Sequence, residues 1–337
     1  MSTTAGYFDE TILNNIRVKA AAIMFDDRLK QDYVANYNVV KLIESVQTAS
    51  VYPSLARDKK IIGVDVMWQN VCGQSVTDNT TCVIGGSKSS TNLESYELSY
   101  EKVVNFTEDE ADFIDNEFDI ETAIAKQFLT ADKNITENFA QYAVGRINTF
   151  SGWNVVTAGK GTVVGADTFI PAAYWNASLA AYFSRVAILN QFTSPKMLSG
   201  NNLYEQMWVA QANAANANGK GDQIMYGGMN MYFDLFNVDT VNDPDLQTYM
   251  ISQGSLAMAY RALNPDSPEV LQDFTRYKMK SNYLPFYYDV YYKNDCTTHD
   301  LVSHSFKVKL NADVFLNPTG CDDNNTGVLS FTCGTGS

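Results

Sequence analysis

The longest regular pattern in this sequence is a run of apolar residues spaced three to four positions apart between residues 119 and 150. This spacing is that of one face of an α-helix. At 1.5 Å per residue the run predicts a single helix of about 32 residues and about 48 Å, which Ser151-Gly152 ends. The residues that define the stripe are Ile120, Ile124, Phe128, Ala131, Ile135, Phe139, Ala143, Ile147 and Phe150.

Shorter helical patterns lie on both sides of this long helix. Residues 1–50 carry two of them, the first around Ile12 to Ala20 and the second from Tyr37 to Val46. The sequence Thr107-Glu108-Asp109-Glu110 has the form of a capping box and predicts a short helix. Pro171 and Asp243-Pro244 are expected to open two further helices, the second running through SQGSLAMAYRALNP.

Alternating patterns predict strands late in the chain. Pro285 precedes a strand with Phe286, Tyr288, Val290 and Tyr292 on one face. A second strand follows and stops at Asn317-Pro318, and the Gly/Asn/Thr-rich residues 321–337 are expected to form a tail. The apolar face of that second strand consists of Phe306, Val308, Leu310, Ala312 and Val314.

Residues 59–105 predict a long two-stranded excursion. An apolar, β-branched segment leads into turn-rich sequence, and the return segment alternates Tyr96, Leu98 and Tyr100 with polar residues. An isolated hairpin is marginally stable in water, so this one should lie on another surface. That surface is either a neighbouring subunit or the rest of the same chain. The candidates for inter-subunit contact are Trp68, Tyr96, Leu98 and Tyr100.

Together these elements predict an α+β protein. Its 337 residues carry 24 Lys and Arg against 38 Asp and Glu, a net charge of −14. This charge argues against a dedicated nucleic-acid binder, which needs clustered cations. Only 18% of residues are charged, while 20 are Tyr and 18 are Phe. Such a composition favours a surface that lies against other protein.

The sequence offers little for catalysis or metal binding. His299 and His304 are its two histidines, too few for a Ser-His-Asp triad or a His-rich metal site. The spacing Cys296-x-x-His299-x4-His304 suits either a zinc site or, by default, a turn with two exposed histidines. Five cysteines leave open whether Cys72/Cys82 and Cys321/Cys333 pair or stay thiols. The prediction is no cofactor, no metal and no catalytic residue.

Two acidic stretches keep an enzymatic alternative open. Residues 108–121 and 234–245 could each supply two carboxylates to a hydrolase. A solvated helix entrance is the simpler interpretation of the first stretch. A deep pocket with two facing carboxylates would favour the enzyme.

The order of these parts resembles that of the major capsid proteins of tailed double-stranded DNA bacteriophages, whose fold is shared with herpesvirus capsid shells. The segments that carry the resemblance are DIETAIAKQFLTADKNITENFAQYAVGRINTFSG, SPKMLSGNNLYEQ and FKVKLNADVFLNP. The resemblance implies an N-terminal arm at 1–58 and an extended β-hairpin loop at 59–105. It implies a peripheral domain at 106–192 and 301–320 with a spine helix at about 119–150, an axial domain at 193–300, and a C-terminal tail.

The resemblance also implies a function. It implies a structural protein, not an enzyme, that self-assembles as hexamers and pentamers into an icosahedral head around double-stranded DNA. Its partners would be copies of itself, scaffolding and portal proteins and a decoration protein, with only non-specific contact to DNA and none to membrane. It would be assembled in the bacterial cytoplasm and reside in the virion. The alternative is another virion component such as a tail-tube, minor capsid or decoration protein.

Overall fold

The fold was analysed in a computed structural model of the chain. The structure describes residues 10–53, 63–69, 91–113, 119–152, 161–165, 167–175, 179–200, 203–205, 223–226, 229–237, 247–271, 273–296, 302–318 and 327–333. Its α-helices are α1 (Glu10–Phe25), α2 (Asn38–Val46), α3 (Ile120–Phe150) and α4 (Leu179–Leu189).

The strands are short except for three long ones, and the described residues form three sheets from them. In chain order they are β1 (Ser50–Pro53), β2 (Gly63–Gln69), β3 (Thr91–Glu97), β4 (Tyr100–Asp109), β5 (Thr162–Val164), β6 (Asp167–Ile170), β7 (Lys196–Ser199), β8 (Gln223–Tyr226), β9 (Met229–Phe233), β10 (Thr248–Ile251), β11 (Leu256–Tyr260), β12 (Glu269–Val270), β13 (Thr275–Lys280), β14 (Tyr287–Cys296), β15 (Val302–Leu316) and β16 (Val328–Cys333). The α+β class predicted from sequence is confirmed.

Helix α3 is one unbroken helix of 31 residues, as predicted. Asp119 is its N-cap, and the carboxylate of Asp119 accepts a hydrogen bond of 2.6 Å from the amide of Thr122. Nearly all of the predicted apolar stripe is buried, from Ile124 to Ile147. The helix ends where Ser151 leaves helical geometry. The two N-terminal helices are also confirmed, and α1 and α2 both pack against α3.

The surface under α3 is a six-stranded sheet in the order β11-β15-β14-β13-β12, with β4 paired to the other edge of β15. The predicted inward faces of β14 and β15 are buried against α3 in one large core. The opposite face of β15 is only partly open to solvent, because Asn311 and Asp313 are also buried there. The sheet is therefore covered on both faces near the C-terminal end of β15.

A second core lies between α4 and a seven-stranded sheet. This sheet has the order β5-β6-β16-β10-β7-β9-β8, and Phe183, Met250 and Phe331 are central to its core. The third sheet, β1-β2-β3, is antiparallel throughout and contains the base of the predicted hairpin.

Four local predictions were wrong. Thr107, Glu108 and Asp109 end strand β4 because they pair with β15, and only a short 3-10 turn, Glu110–Phe113, follows. The segment after Asp243-Pro244 forms strands β10 and β11 within its described residues, because both strands have partners in sheets. The helix opened by Pro171 is a 3-10 turn, Ala172–Tyr174, followed by α4, whose Ile188 is 76% exposed.

The fourth correction concerns the predicted C-terminal tail at 321–337. Strand β16 lies inside the seven-stranded sheet, between β6 and β10. It pairs in parallel with β6, and Val328, Leu329 and Phe331 are fully buried. Its apolar side chains complete the core that packs on α4, so this part of the chain is integral to the fold.

We predict opposite effects for alanine at two glycines. Gly254 links β10 to β11 with φ +82°, and a Cβ there would lie 2.9 Å from Thr48 Oγ1. Gly254→Ala should lower the free energy of unfolding by about 1–2 kcal/mol because of the left-handed backbone. Gly145→Ala in α3, with no atom within 4 Å of the new Cβ, should raise it by up to about 1 kcal/mol.

Urea denaturation of the two variants beside the parent chain measures both effects. A Gly254→Ala protein as stable as the parent would show that the link between the two sheets is not constrained as described.

Candidate assembly surfaces

The base of the hairpin packs on the body of its own chain. Trp68 is completely buried, in a cluster with β-branched residues of β2 and with Ala257, Ala259 and Phe315 of the six-stranded sheet. Trp68 Nε1 donates a hydrogen bond of 3.1 Å to the hydroxyl of Tyr96, whose ring stacks on Phe315 at 4.3 Å. Burial and the neighbouring Glu94 raise the pKa of Tyr96 to about 12, so its hydroxyl stays protonated as a donor.

This arrangement changes the assignment of the four predicted contact residues. Trp68, Leu98 and Tyr100 retain at most 8% exposure, too little for a contact with another subunit, and Tyr96 is half-buried. The predicted single alternating strand is in fact two strands, because β3 ends at Glu97 and β4 begins at Tyr100 in another sheet. These residues fix the hairpin base. The segment between β2 and β3, residues 70–90, lies outside the described residues.

Between β3 and β4 the chain passes from one sheet to another, and a buried carboxylate binds the chain at this point. Asp313 of β15 accepts hydrogen bonds from the amide and the hydroxyl of Ser99, at 3.0 and 2.6 Å. Its other oxygen accepts one of 2.6 Å from the hydroxyl of Tyr142 on α3, and Arg146 Nε lies 3.6 Å away. We call Ser99, Tyr142, Arg146 and Asp313 the joint. It fixes the direction of the hairpin relative to α3.

A second buried carboxylate ties the middle of α3 to the sheet. Asp132 accepts hydrogen bonds from the hydroxyls of Ser281 and Tyr288, both at 2.6 Å, and from the amide of Asn282 at 2.7 Å. Burial raises the pKa of Asp132, while these donors act in the opposite direction. The acid predicted as part of a catalytic candidate at residue 234 has a similar structural role: Asp234 accepts a hydrogen bond of 2.8 Å from the amide of Val39 and caps α2.

The acidic run at 108–121 serves local structure where it is described. Asp119 caps α3 and, together with Glu121, forms ion pairs with Lys19 of α1 at 2.6 and 2.7 Å. Among the described residues no group of three acidic, histidine or cysteine side chains is arranged to hold a metal. The groove between α2 and β11, about 690 Å³, is lined by one carboxylate among its described residues, Glu44. The two-carboxylate arrangement of a hydrolase is therefore not supported there.

His304 is buried, whereas the sequence predicted an exposed histidine in a turn. Its Nδ1 lies 2.9 Å from the hydroxyl of Tyr292, and its Nε2 lies 3.4 Å from a carboxylate oxygen of Glu110. It sits on the inward face of β15, so strand pairing, not metal ligation, explains its position. His299, Cys72, Cys82 and Cys321 lie outside the described residues.

Helix α1 and the residues after it present apolar surface to solvent. Val18 and Phe25, seven residues apart on α1 and hence on one face of the helix, are 60% and 88% exposed. Leu29 and Val34 continue this exposed apolar surface after the helix. Exposed contiguous apolar surface of this kind is typical of protein contact sites. In the part of the chain that the structure describes, no helix is long and apolar enough to cross a membrane.

No family model matches the chain, and no curated protein matches it. Solved structures do. The capsid structure of Cyanophage P-SCSP1u is 9% identical, with 85% of this chain and 84% of that chain covered and a TM-score of 0.43. The Cyanophage Pam1 capsid is 12% identical over 81% of this chain and 84% of that chain, with a TM-score of 0.41. The bacteriophage PhiM1 mature capsid is 9% identical over 80% and 81%, with a TM-score of 0.39. At these values the matches are similarities only.

We predict that the joint contributes measurably to stability. Asp313→Ala should lower the free energy of unfolding by about 1–3 kcal/mol, because it removes a buried carboxylate that accepts hydrogen bonds from the amide and hydroxyl of Ser99 and from the hydroxyl of Tyr142. Amide hydrogen exchange at Ser99 and Tyr100 should become faster. Asp266→Ala serves as the control, since it removes an exposed ion pair with Lys278 and should leave both measurements unchanged. Unchanged exchange in the Asp313 variant would contradict the role of the joint.

We predict that His304 makes the fold sensitive to acid. Burial lowers the pKa of His304 below its ordinary 6.5, against the opposing effect of Glu110. The unfolded chain therefore takes up the proton first as the pH falls below 6.5, and the folded state loses stability down to the lowered pKa. Above pH 6.5 this contribution is fully present.

The free energy of unfolding of the parent and of His304→Gln, measured from pH 8 to pH 5, tests this. The parent should lose its advantage over the variant as the pH falls through 6.5. A constant difference across that range would exclude His304 as the titrating group.

Proposed function

We propose that this chain is the shell-forming subunit of a tailed-bacteriophage head. Copies of it would assemble as hexamers and pentamers into an icosahedral shell around double-stranded DNA. The observation that carries the proposal is the combination, in one chain, of an α3-and-sheet body, a hairpin base locked to that body, and an N-terminal helix with exposed apolar residues. A shell subunit needs contacts on several sides and no active site.

The hairpin supports this function by its length and its anchoring. The pairing of β2 with β3 extends to the last residue of β2 and the first residue of β3, Gln69 with Thr91. In the sequence, 21 residues separate these two positions. Because the joint and the Trp68 cluster fix the base of the hairpin on the body, the segment between Gln69 and Thr91 starts and ends at a fixed place. We assign that segment, residues 70–90, to contact with an adjacent subunit.

The packing suggests a revised division of the parts. The peripheral domain would comprise α3 and the six-stranded sheet, including β13 and β14. The axial domain would comprise α4 and the seven-stranded sheet, including β16. This division follows the two large cores, whereas the boundaries at 106–192 and 193–300 followed chain order. The loop at 215–222, which would face a symmetry axis, lies outside the described residues.

The proposal also covers activity, partners and location. The subunit would have no catalytic activity, and its net charge of −14 would keep contacts with packaged DNA non-specific. Scaffolding, portal and decoration proteins are the further partners expected of such a shell. Assembly would take place in the bacterial cytoplasm and the product would be the virion head.

We predict that replacing residues 70–90 by Asn-Gly abolishes shell formation but not folding. Asn-Gly is suited to a two-residue hairpin turn, and Gln69 and Thr91 are already paired, so the rest of the sheet should form. Circular dichroism and urea denaturation should match the parent, while negative-stain microscopy should show shells from the parent only.

The outcomes separate the assignments. Closed shells of normal diameter from the shortened chain would contradict the role of the hairpin. A parent chain that forms open tubes or small rings would contradict the shell function and favour a tail-tube, minor capsid or decoration protein.

A further inference from the structure

Strand β4 is a long edge strand. Its ten residues pair along one side with β15 in an uninterrupted antiparallel register, from Tyr100 opposite Ala312 to Asp109 opposite Ser303. Among the described strands, β15 is its sole partner. An edge of this length displays unpaired backbone donors and acceptors, which makes it a template for another strand.

The hydrogen bonds of β15 show which backbone groups of β4 point outward. The amide of Arg261 donates to the carbonyl of Asn311, and the amide of Asn317 donates to the carbonyl of Ser255, so the odd-numbered residues of β15 point toward β11. The even-numbered residues of β15 therefore point toward β4. Since even residues of β15 lie opposite even residues of β4, the odd residues of β4 direct their N–H and C=O groups outward. These are Glu101, Val103, Asn105, Thr107 and Asp109.

In the described part of the chain no strand covers this outer edge, and the edge lacks the proline, the bulge and the several lysines that often protect one. Glu101, Val103, Asn105 and Thr107 are all exposed, Val103 to 37%. The strand contains no proline or glycine, and its register with β15 has no bulge. Natural edge strands are commonly shielded by proline, bulges or several lysines, and β4 has one lysine, Lys102.

We propose that the outer edge of β4 pairs antiparallel with β4 of a second copy of this chain, around a two-fold axis at Val104. The proposal rests on the shell function for its biological setting, and it assigns one two-fold contact between subunits. Such a contact is isologous, so the same surface serves both copies. It would join the two six-stranded sheets into one continuous sheet.

The charge pattern of β4 supports a second copy as the partner. With Val104 opposite its own copy, Lys102 lies opposite Phe106 and Glu101 lies opposite Thr107, so no like charges face each other. A lysine ammonium against an aromatic ring is a favourable pair. A shift that centres the pairing on Asn105 would place Glu101 opposite Asp109, and like charges directly opposite each other are destabilising.

The backbone pattern agrees with the same register. The backbone N–H and C=O groups of Val103 and Asn105 both point outward. Val103 of one copy would therefore exchange two hydrogen bonds with Asn105 of the other copy, and Asn105 with Val103 in the same way. Glu101 and Thr107 would do the same, which gives eight inter-chain hydrogen bonds by this geometry. Val104 would form a close pair with its counterpart, at a Cα separation of about 4.5 Å.

Proline at Val103 tests the pairing without disturbing the ladder to β15. The Val103 amide points outward, so Val103→Pro removes an inter-chain donor and no bond within the chain, and proline is tolerated at strand edges in that orientation. We expect the dimer dissociation constant, measured by analytical ultracentrifugation, to rise at least tenfold. Val103→Ala keeps the amide and should stay within threefold of the parent. Equal dissociation constants for the proline variant and the parent would overturn the proposal.

A cysteine at Val104 gives a second test that does not depend on tolerance of proline. The expected Cα separation suits a disulfide, so mild oxidation of Val104→Cys should give a covalent dimer whose 104–104 link peptide mapping identifies apart from the natural cysteines. Val164→Cys on β5, where Val164 is 47% exposed, controls for random collision. Linking of the two variants at the same rate would overturn the β4 contact.

These tests are separable from that of the shell function. A parent chain that forms shells, together with a Val104→Cys variant without the link, would refute the β4 pairing and leave the shell function standing. A linked dimer from a parent that never forms shells would support the pairing and refute the shell function.

Discussion

A helix of 31 residues with one apolar face needs an apolar surface along its whole length, and this requirement organises the described part of the chain. Helix α3 meets this requirement by lying across the six-stranded sheet. The two N-terminal helices, α1 and α2, also pack against α3. Phe128, Ile135, Phe139 and Ile147 are among the apolar residues that this contact removes from water. A sheet wide enough to cover such a helix can only be built from strands distant in sequence, here β4 and β11 to β15. The sheet is therefore completed only late in the sequence, by β15, which pairs with β4 on one side and with β14 on the other.

Buried carboxylates give this apolar contact its fixed geometry. Apolar packing alone allows a helix to slide along a sheet, whereas hydrogen bonds to a buried charged group are directional and costly to break. Asp132 ties the middle of α3 to the turn between β13 and β14, and Asp313 ties its C-terminal half to the joint at Ser99. Each carboxylate accepts at least three hydrogen bonds from its own chain. Asp132 and Asp313 together therefore fix the position of α3 on the sheet.

The sequence predicted the elements whose pattern is local. The stripe of α3 and the alternation of β14 and β15 are each visible within one segment, and each is confirmed. The errors lie where distant partners decide. The segment LAMAY has good helix formers, yet it is strand β11 because β15 supplies a ladder from 52 or more residues away.

The same reason explains the two other large differences. Residues 328–333 sit in a Gly- and Asn-rich context, and only their parallel partner β6, about 160 residues earlier in the chain, reveals them as a buried strand. The candidate contact residues Trp68, Leu98 and Tyr100 have the aromatic and apolar character of an interface. Nothing in their own segment shows that Trp68 and Leu98 are covered by Phe315, Ala257 and Ala259. Nor does it show that Tyr100 packs against Phe139 and Tyr142 of α3. The joint was missed because Ser99 and Asp313 are 214 positions apart.

The position of the joint has a consequence for assembly. Ser99 lies between the hairpin, which would contact one neighbour, and β4, whose open edge would pair with another. Because Asp313 holds Ser99 against α3, the angle between those two contacts is set inside a single subunit. Many weak contacts repeated by symmetry can close a shell only if their relative directions are reproducible. A buried carboxylate with directional hydrogen bonds fixes such an angle better than apolar packing does. This is a physical reason for the ionisable Asp313 to lie against Ser99, where the chain passes from the hairpin to β4.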